Sequence, residues 1–212
     1  MLNQIKLCGT IIDGPNFSYR LGNKKFYKGK LLIMRLSGIA DHIPFVCQEA
    51  IAKDCKLGDQ VRISGQVRTR NYTNSGKVHL DVFVYARRID PAPGAKDLNE
   101  VAMDGFICHA AGPREVGSRT IAVIKLANNE ATKTNYIPCV LWGHQAAQDW
   151  ICGDFVTLSG RLQSRDYIAS DGRFSTTYEL SVISVERREK GCDNFSDIVT
   201  TSPNLPGIVT IA

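Results

Sequence analysis

The sequence contains no long apolar run. Nowhere do about 18 consecutive apolar residues occur, so no transmembrane helix and no membrane partner are expected. Met1-Leu2-Asn3-Gln4-Ile5 shows no basic segment followed by an apolar stretch, and no secretion signal is expected. The sequence also lacks any C-x-x-C pair. Its seven cysteines (Cys8, Cys47, Cys55, Cys108, Cys139, Cys152 and Cys192) are odd in number and scattered, and its four histidines are equally dispersed. No metal-ligand set emerges from such spacing. The thiols read as reduced, mostly buried small hydrophobes of a cytoplasmic protein. Signatures of catalysis are absent as well. There is no G-x-x-x-x-G-K-[ST], no nucleophile and base tied by a motif, and no recurring carboxylate pair. These absences point to a binding protein rather than an enzyme, with no cofactor and no metal.

What the sequence does have is charge in the wrong places for an even distribution. Of 212 residues, 43% are hydrophobic and 22% charged, as in an ordinary globular chain. The net charge of +5 hides a division. Residues 1–95 hold 15 Lys and Arg against 7 Asp and Glu, whereas residues 96–212 hold 11 against 14. A basic first half suits a polyanionic partner, or is simply a solvated basic surface.

It also has a repeat. Gly58-Asp59-Gln60-Val61-Arg62-Ile63-Ser64-Gly65-Gln66-Val67 returns as Gly153-Asp154-Phe155-Val156-Thr157-Leu158-Ser159-Gly160-Arg161-Leu162, with Arg70-x-Tyr72 and Arg165-x-Tyr167 following. Upstream, Leu2-Asn3-Gln4-Ile5 and Gly9 match Leu98-Asn99-Glu100-Val101 and Gly105, and Ile43-Pro44-Phe45-Val46 matches Ile137-Pro138-Cys139-Val140. Downstream, His79-Leu80-Asp81-Val82 aligns with Glu179-Leu180-Ser181-Val182. The chain therefore reads as two units of roughly 90 residues, a usual small-domain size. The expected division is 1–90, a Pro-rich linker 91–97, a second unit 98–189 and a tail 190–212.

Each unit reads as strands. Apolar and polar residues alternate through Val61–Arg68 and Val156–Gln163, the period of a strand with one buried face. Gly65 and Gly160 inside these runs mark a bulge or tight bend. Further strands are expected at 3–12, 28–37, 42–48, 78–88, 99–109, 119–127, 135–142 and 176–187. Short helices are expected only at Glu49–Cys55 and His144–Ile151, between the third and fourth strands. Five strands with one helix there describe two tandem OB-folds, each a five-stranded Greek-key barrel. A β-sandwich needs no helix at the same point of both halves.

The order of these blocks resembles the bacterial and phage single-stranded-DNA-binding protein family. The second unit resembles it through Asn99-Glu100-Val101, Gly105, Tyr136–Gly143, Gly153–Val156 and Ser159–Tyr167. The first does so through Asn3, Gly9, Gly58, Gly65–Tyr72 and a Ser75-Gly76 turn. The resemblance implies single-stranded DNA as partner, with roles in replication, recombination or repair. It also implies a homodimer that brings four OB units together. Aromatics at the positions of Tyr136, Trp142, Tyr167 and Tyr72 stack on bases in that family. The resemblance also implies an acidic tail tip that recruits replication and repair proteins; the sequence closes on the apolar Leu205-Pro206-Gly207-Ile208-Val209-Thr210-Ile211-Ala212, so recruitment through such a tip is not expected.

A nonspecific single-strand binder needs flat rings for bases and cations for phosphates. In the third strand of the second unit, Ile137, Cys139 and Leu141 share one face, and Tyr136 and Trp142 the other. These rings either stack with bases or plug the barrel ends; Trp150 reads as core. The first unit departs from the pattern, with His42 and Gln48 where Tyr136 and Trp142 stand. It carries instead Tyr19 and then Lys24-Lys25-Phe26-Tyr27-Lys28 around an expected hairpin, as a backbone grip or a solvated loop. Arg62, Arg68 and Arg70 lie on the polar face of its fourth strand, and Arg161 and Arg165 on that of the second unit. An alternative role is that of a primosome-like or phage accessory protein whose second unit mainly mediates assembly; another is a nucleic-acid enzyme subunit or RNA-binding module.

Overall fold

The computed structural model describes residues 1–74, 77–168, 172 and 174–188, without the side chains of Asn74 and Lys77. The expected Ser75-Gly76 turn and the 190–212 tail lie outside the described residues. The strands are β1 (Asn3–Leu21), β2 (Lys24–Met34), β3 (Ala40–Gln48), β4 (Gln60–Asn74) and β5 (Lys77–Pro91). They are followed by β6 (Leu98–Val116), β7 (Arg119–Glu130), β8 (Lys133–Trp142), β9 (Phe155–Ile168) and β10 (Phe174–Arg187). Neighbours run β2-β3-β5-β4-β1, and a further β1–β2 pairing closes the ring; β7-β8-β10-β9-β6 closes in the same way through β6–β7. β3–β5 and β8–β10 are the parallel pairs. These are two five-stranded OB barrels.

The alternation read from the sequence decides which side of each strand faces in. Ile5, Leu7, Leu31, Ile33, Ile43, Phe45, Ile63 and Val84 fill the first barrel, and Met103, Ile124, Leu126, Ile137, Cys139, Leu158 and Leu180 the second. The strands outrun the expected spans. β1 continues from residue 12 to Leu21, and β9 reaches Ile168, because paired arms project past the barrels. The arms expose both faces, so the apolar alternation fades there. The glycines close the barrels: a Cβ on Gly65 would collide with the Tyr85 carbonyl oxygen, and one on Gly160 with that of Ser181. A register shift lies beside each, between Ser64 and Gly65 and between Val182 and Ser184.

The helices are shorter than expected. α1 spans Glu49–Ala52, and the segment expected helical over His144–Ile151 holds only a 3-10 turn, Gly143–Gln145. Gly143 sits at φ +58, and the Trp150 indole donates to the Gln145 carbonyl at 2.8 Å. The ring thus packs as a plug on a turn, in the core as expected, 7% exposed.

The two barrels share a seam. β1 and β6 pair antiparallel, with Ile5 opposite Val101. These are equivalent positions of the two repeats, so a pseudo-twofold axis passes between them. It shows in mirrored contacts. The Thr69 amide donates to Asn135 Oδ1 and the Tyr136 amide to Thr69 Oγ1; the Ser164 amide donates to Asp41 Oδ1 and the His42 amide to Ser164 Oγ. Pro91 ends β5, and the segment after it is tied down by the Gln60 side chain, which accepts from the Gly94 amide and donates to the Ala95 carbonyl.

Candidate nucleic-acid interface

The outward faces of the barrel strands form two open grooves. The first lies over β2, β3, β4 and β5 and the outer part of β1, lined by Lys28, Lys30, Phe83, Tyr19 and Arg70, with Tyr178 reaching in from β10 of the other barrel. Carboxylates line it too: Asp13 and Asp81, the latter 2.9 Å from Arg70. Burial pushes the Tyr178 phenol upward, and Asp81 and Asp166 add to it. The second groove lies over β8, β9 and β10. Trp142, Arg161, Gln163 and Ile183 line it with Arg119, and Arg35 comes from the turn after β2.

In the second barrel Trp142 is half-buried, its indole N–H donating to Ser181 Oγ at 3.0 Å. That bond fixes the ring and leaves it on the groove wall. Tyr136 is 43% exposed beside the seam, its backbone held by Thr69 of the first barrel. Tyr167 is half-buried on the β9–β10 arm. Arg165 is exposed and approaches Glu179 at 3.7 Å.

In the first barrel Tyr72 is 46% exposed on the β4–β5 arm, its ring stacked on His79 at 5.3 Å. The β1–β2 arm carries the ring-and-lysine cluster, confirming the hairpin. Phe26, however, is 6% exposed and stacks on Tyr19, with centroids 4.8 Å apart. Tyr27 packs edge-on to Phe17 and donates to Glu49. Lys25 is bound to the same carboxylate at 2.8 Å, which raises the lysine pKa and lowers that of Glu49. Lys24 and Lys28 are exposed. Arg68 lies 4.1 Å from the centre of the Tyr85 ring and 3.2 Å from Glu130 of the second barrel. Among the described residues Lys24, Lys28, Arg62 and Arg161 form no ion pair, whereas Lys25, Arg68, Arg70 and Arg165 do.

The sequence reading missed Tyr85, Phe83, Tyr178, Arg35 and Arg119. Tyr85 has a counterpart. Gln66 pairs with Tyr85 as Arg161 pairs with Ser181, so Tyr85 and Ser181 are equivalent. The expected match of His79–Val82 with Glu179–Val182 is therefore four residues out of register. The correct register shows an exchange: Gln48 on β3 bonds the Tyr85 hydroxyl, and Trp142 on β8 bonds the Ser181 hydroxyl. Each barrel thus has one large ring at this place, on adjacent strands. The alternation Val82-Phe83-Val84-Tyr85-Ala86 was the available signal. Arg35 had none, since only the folded seam delivers it.

No family model and no curated protein matches the chain. Solved structures do. The single-stranded DNA binding protein from Thermus aquaticus superposes with a TM-score of 0.73 at 23% identity, over 92% of this chain and 97% of that one. A deletion variant of the same protein matches at 0.73 and 23%, over 90% and 96%. The chain therefore has the fold of bacterial single-stranded-DNA-binding proteins, with two OB barrels in one chain.

Proposed function

We propose that this protein binds single-stranded DNA without sequence preference, in the cytoplasm, in support of replication, recombination or repair. Residues 1–90 and 98–189 are its two binding units, 91–97 their connector, and a homodimer presents four. The observation that carries the reading is the pairing of rings with cations on the outer face of each barrel. Trp142 stands with Arg161 and Arg119 in one groove, and Tyr19 with Lys28 and Lys30 in the other. Stacking accepts any base because every base has a π-face, and cations follow a backbone whose charge is independent of sequence. The Thermus aquaticus protein of the same fold is a single-stranded DNA binding protein by its own description, which supports the reading. A gel-shift comparison of oligo-dT, duplex DNA and single-stranded RNA at two salt concentrations tests it. Tightest binding to oligo-dT, weakening with salt, is the expected result. Equal affinity for the duplex overturns it.

A further inference from the structure

Just before β9 the chain makes a turn and a bulge. The Asp154 amide donates to the Ile151 carbonyl at 3.3 Å, with Gly153 at φ +98 as the left-handed corner of that turn. The Gly153 amide donates to the Ile107 carbonyl at 2.8 Å, and the Ile107 amide to the Asp154 carbonyl at 2.9 Å, so two residues face one across the pair of strands. Cys152 precedes the donating amide, and Cys108 follows the accepting carbonyl. In a trans peptide the Cα before an amide lies on the side of its N–H, and the Cα after a carbonyl on the side of its oxygen. One hydrogen bond of 2.8 Å therefore holds the Cα atoms of Cys108 and Cys152 within about 6.5 Å, inside the range of about 4.4–6.8 Å that a disulfide spans. Both cysteines are exposed, the only two that are among the described residues, and neither lines a groove. The Cys108 thiol donates to the Lys125 carbonyl at 3.3 Å. Partial enclosure of this sulfur pushes its pKa up, the Lys125 cation lowers it, and Cys152 is near enough to raise it again. The first barrel builds the same turn and bulge, with the Gly58 amide on the Ile11 carbonyl at 2.9 Å. There the flanking residues are Leu57 and Ile12, both exposed. Where one repeat sets two aliphatic side chains across this bond, the other sets two thiols, which alone can close it covalently.

We propose that Cys108 and Cys152 are a dithiol modification site, which a low-molecular-weight disulfide oxidises to an intramolecular disulfide that staples β6 to the segment carrying the Trp150 plug. The Cys152 thiolate attacks one sulfur of the small disulfide and expels one thiolate, leaving a mixed disulfide on Cys152. The Cys108 thiol gives its proton to water, and its thiolate attacks the Cys152 sulfur and expels the second small thiolate. Two protein thiols are oxidised, and one small disulfide is reduced to two thiols. Excess small thiol runs the exchange backwards and reopens the staple. The site needs no DNA and stands apart from the proposed function. At two positions it reverses the reading of the cysteines as inert small hydrophobes.

The test uses the full chain, folded and fully reduced, then treated with oxidised glutathione and quenched with iodoacetamide. Proteolysis without reductant and mass spectrometry identify the products. The parent should yield a peptide pair joined through Cys108 and Cys152, lost on adding dithiothreitol, in a product that runs as a single chain on a non-reducing gel. The oxidised parent should melt about 4 °C or more above the reduced parent, since the bond closes a loop of the unfolded chain. Cys108→Ser should stop one step earlier, with glutathione retained on Cys152 and no rise in Tm. Cys152→Ser should lose the joined peptide while melting like the reduced parent. If the parent accumulates glutathione on Cys152 without the joined peptide, Cys108 does not reach it and the site is wrong. The site is equally wrong if both cysteines stay open to iodoacetamide, or if the joined peptide forms only after unfolding in urea.

Discussion

At the scale of single residues, the two tryptophans separate function from packing. Trp150 is buried against the core, its N–H satisfied by Gln145 and Arg187 lying 5.2 Å from its ring. Trp142 sits on a groove wall with its N–H on Ser181. Stacking of a base on such a ring is worth roughly 1–3 kcal/mol. Trp142→Ala is therefore expected to weaken oligo-dT binding by about fivefold to a hundredfold or more, with the salt slope unchanged. Oligo-dT should quench emission in Trp150→Phe and leave Trp142→Phe nearly unquenched; full quenching in the latter makes Trp142 a packing residue. A different residue tests the seam of each barrel. Asn3 acts as a peptide stand-in where the β1–β4 ladder ends, its amide donating to the Val67 carbonyl and accepting the Val67 amide, both at 2.9 Å. Asn99 does the same for Leu162. Removing either side chain strands a backbone pair, at a cost of about 1–3 kcal/mol. A melt of Asn3→Ala should show a Tm lower by about 2–4 °C for each kcal/mol of stability removed. An unchanged Tm means that water replaces the amide.

At the scale of elements, the β1–β2 arm shows how far the sequence could be read. Its cluster of lysines and rings was visible as a string, but the string does not say which members face outward. The pleat turns Phe26 into the barrel, and Glu49, placed just after β3, captures Lys25 and Tyr27. Neither fact has a local signature, because Glu49 comes from another part of the chain. Lys24 and Lys28 remain exposed. Lys24→Ala with Lys28→Ala should therefore flatten the salt slope of oligo-dT binding, by up to about 0.7 for each phosphate that is no longer neutralised. Lys25→Ala should do so less, since its charge is already matched. Equal effects from all three lysines would mean that the Glu49 pair dissolves when DNA binds. By contrast, the barrel strands were legible almost residue by residue, since a period-two pattern has only one way to bury its apolar face. What escaped was register within β5, where no apolar anchor distinguishes a shift of four, and with it the equivalence of Tyr85 and Ser181.

At the scale of the whole molecule, the pairing of β1 with β6 joins both barrels into one antiparallel surface, β5-β4-β1-β6-β9-β10. Its outward side carries Lys6, Arg62 and an Arg88–Asp90 ion pair on the first barrel, and Glu100, Asp104 and Glu186 on the second. Equivalent positions differ in charge: Gln4 against Glu100, Lys6 against Ala102, Arg62 against Thr157, Arg88 against Ser184. The chain is a pseudo-dimer in backbone and a dipole in charge. Part of the charge division seen in the sequence lies on this face, and no composition count could have placed it there. In the proposed homodimer, a twofold axis that lays the basic half of one copy on the acidic half of its partner satisfies both halves at once. An axis that joins like halves places cation on cation, and like charges across an interface cost several kcal/mol. Sedimentation at micromolar concentration should show a dimer for the parent. Arg62→Glu and Glu186→Lys should each weaken it by about tenfold or more, because each change is felt twice across the twofold. The chain carrying both changes should dimerise as the parent does, since basic then meets acidic again. If that doubly changed chain melts like the parent but stays monomeric, the crossed arrangement is wrong.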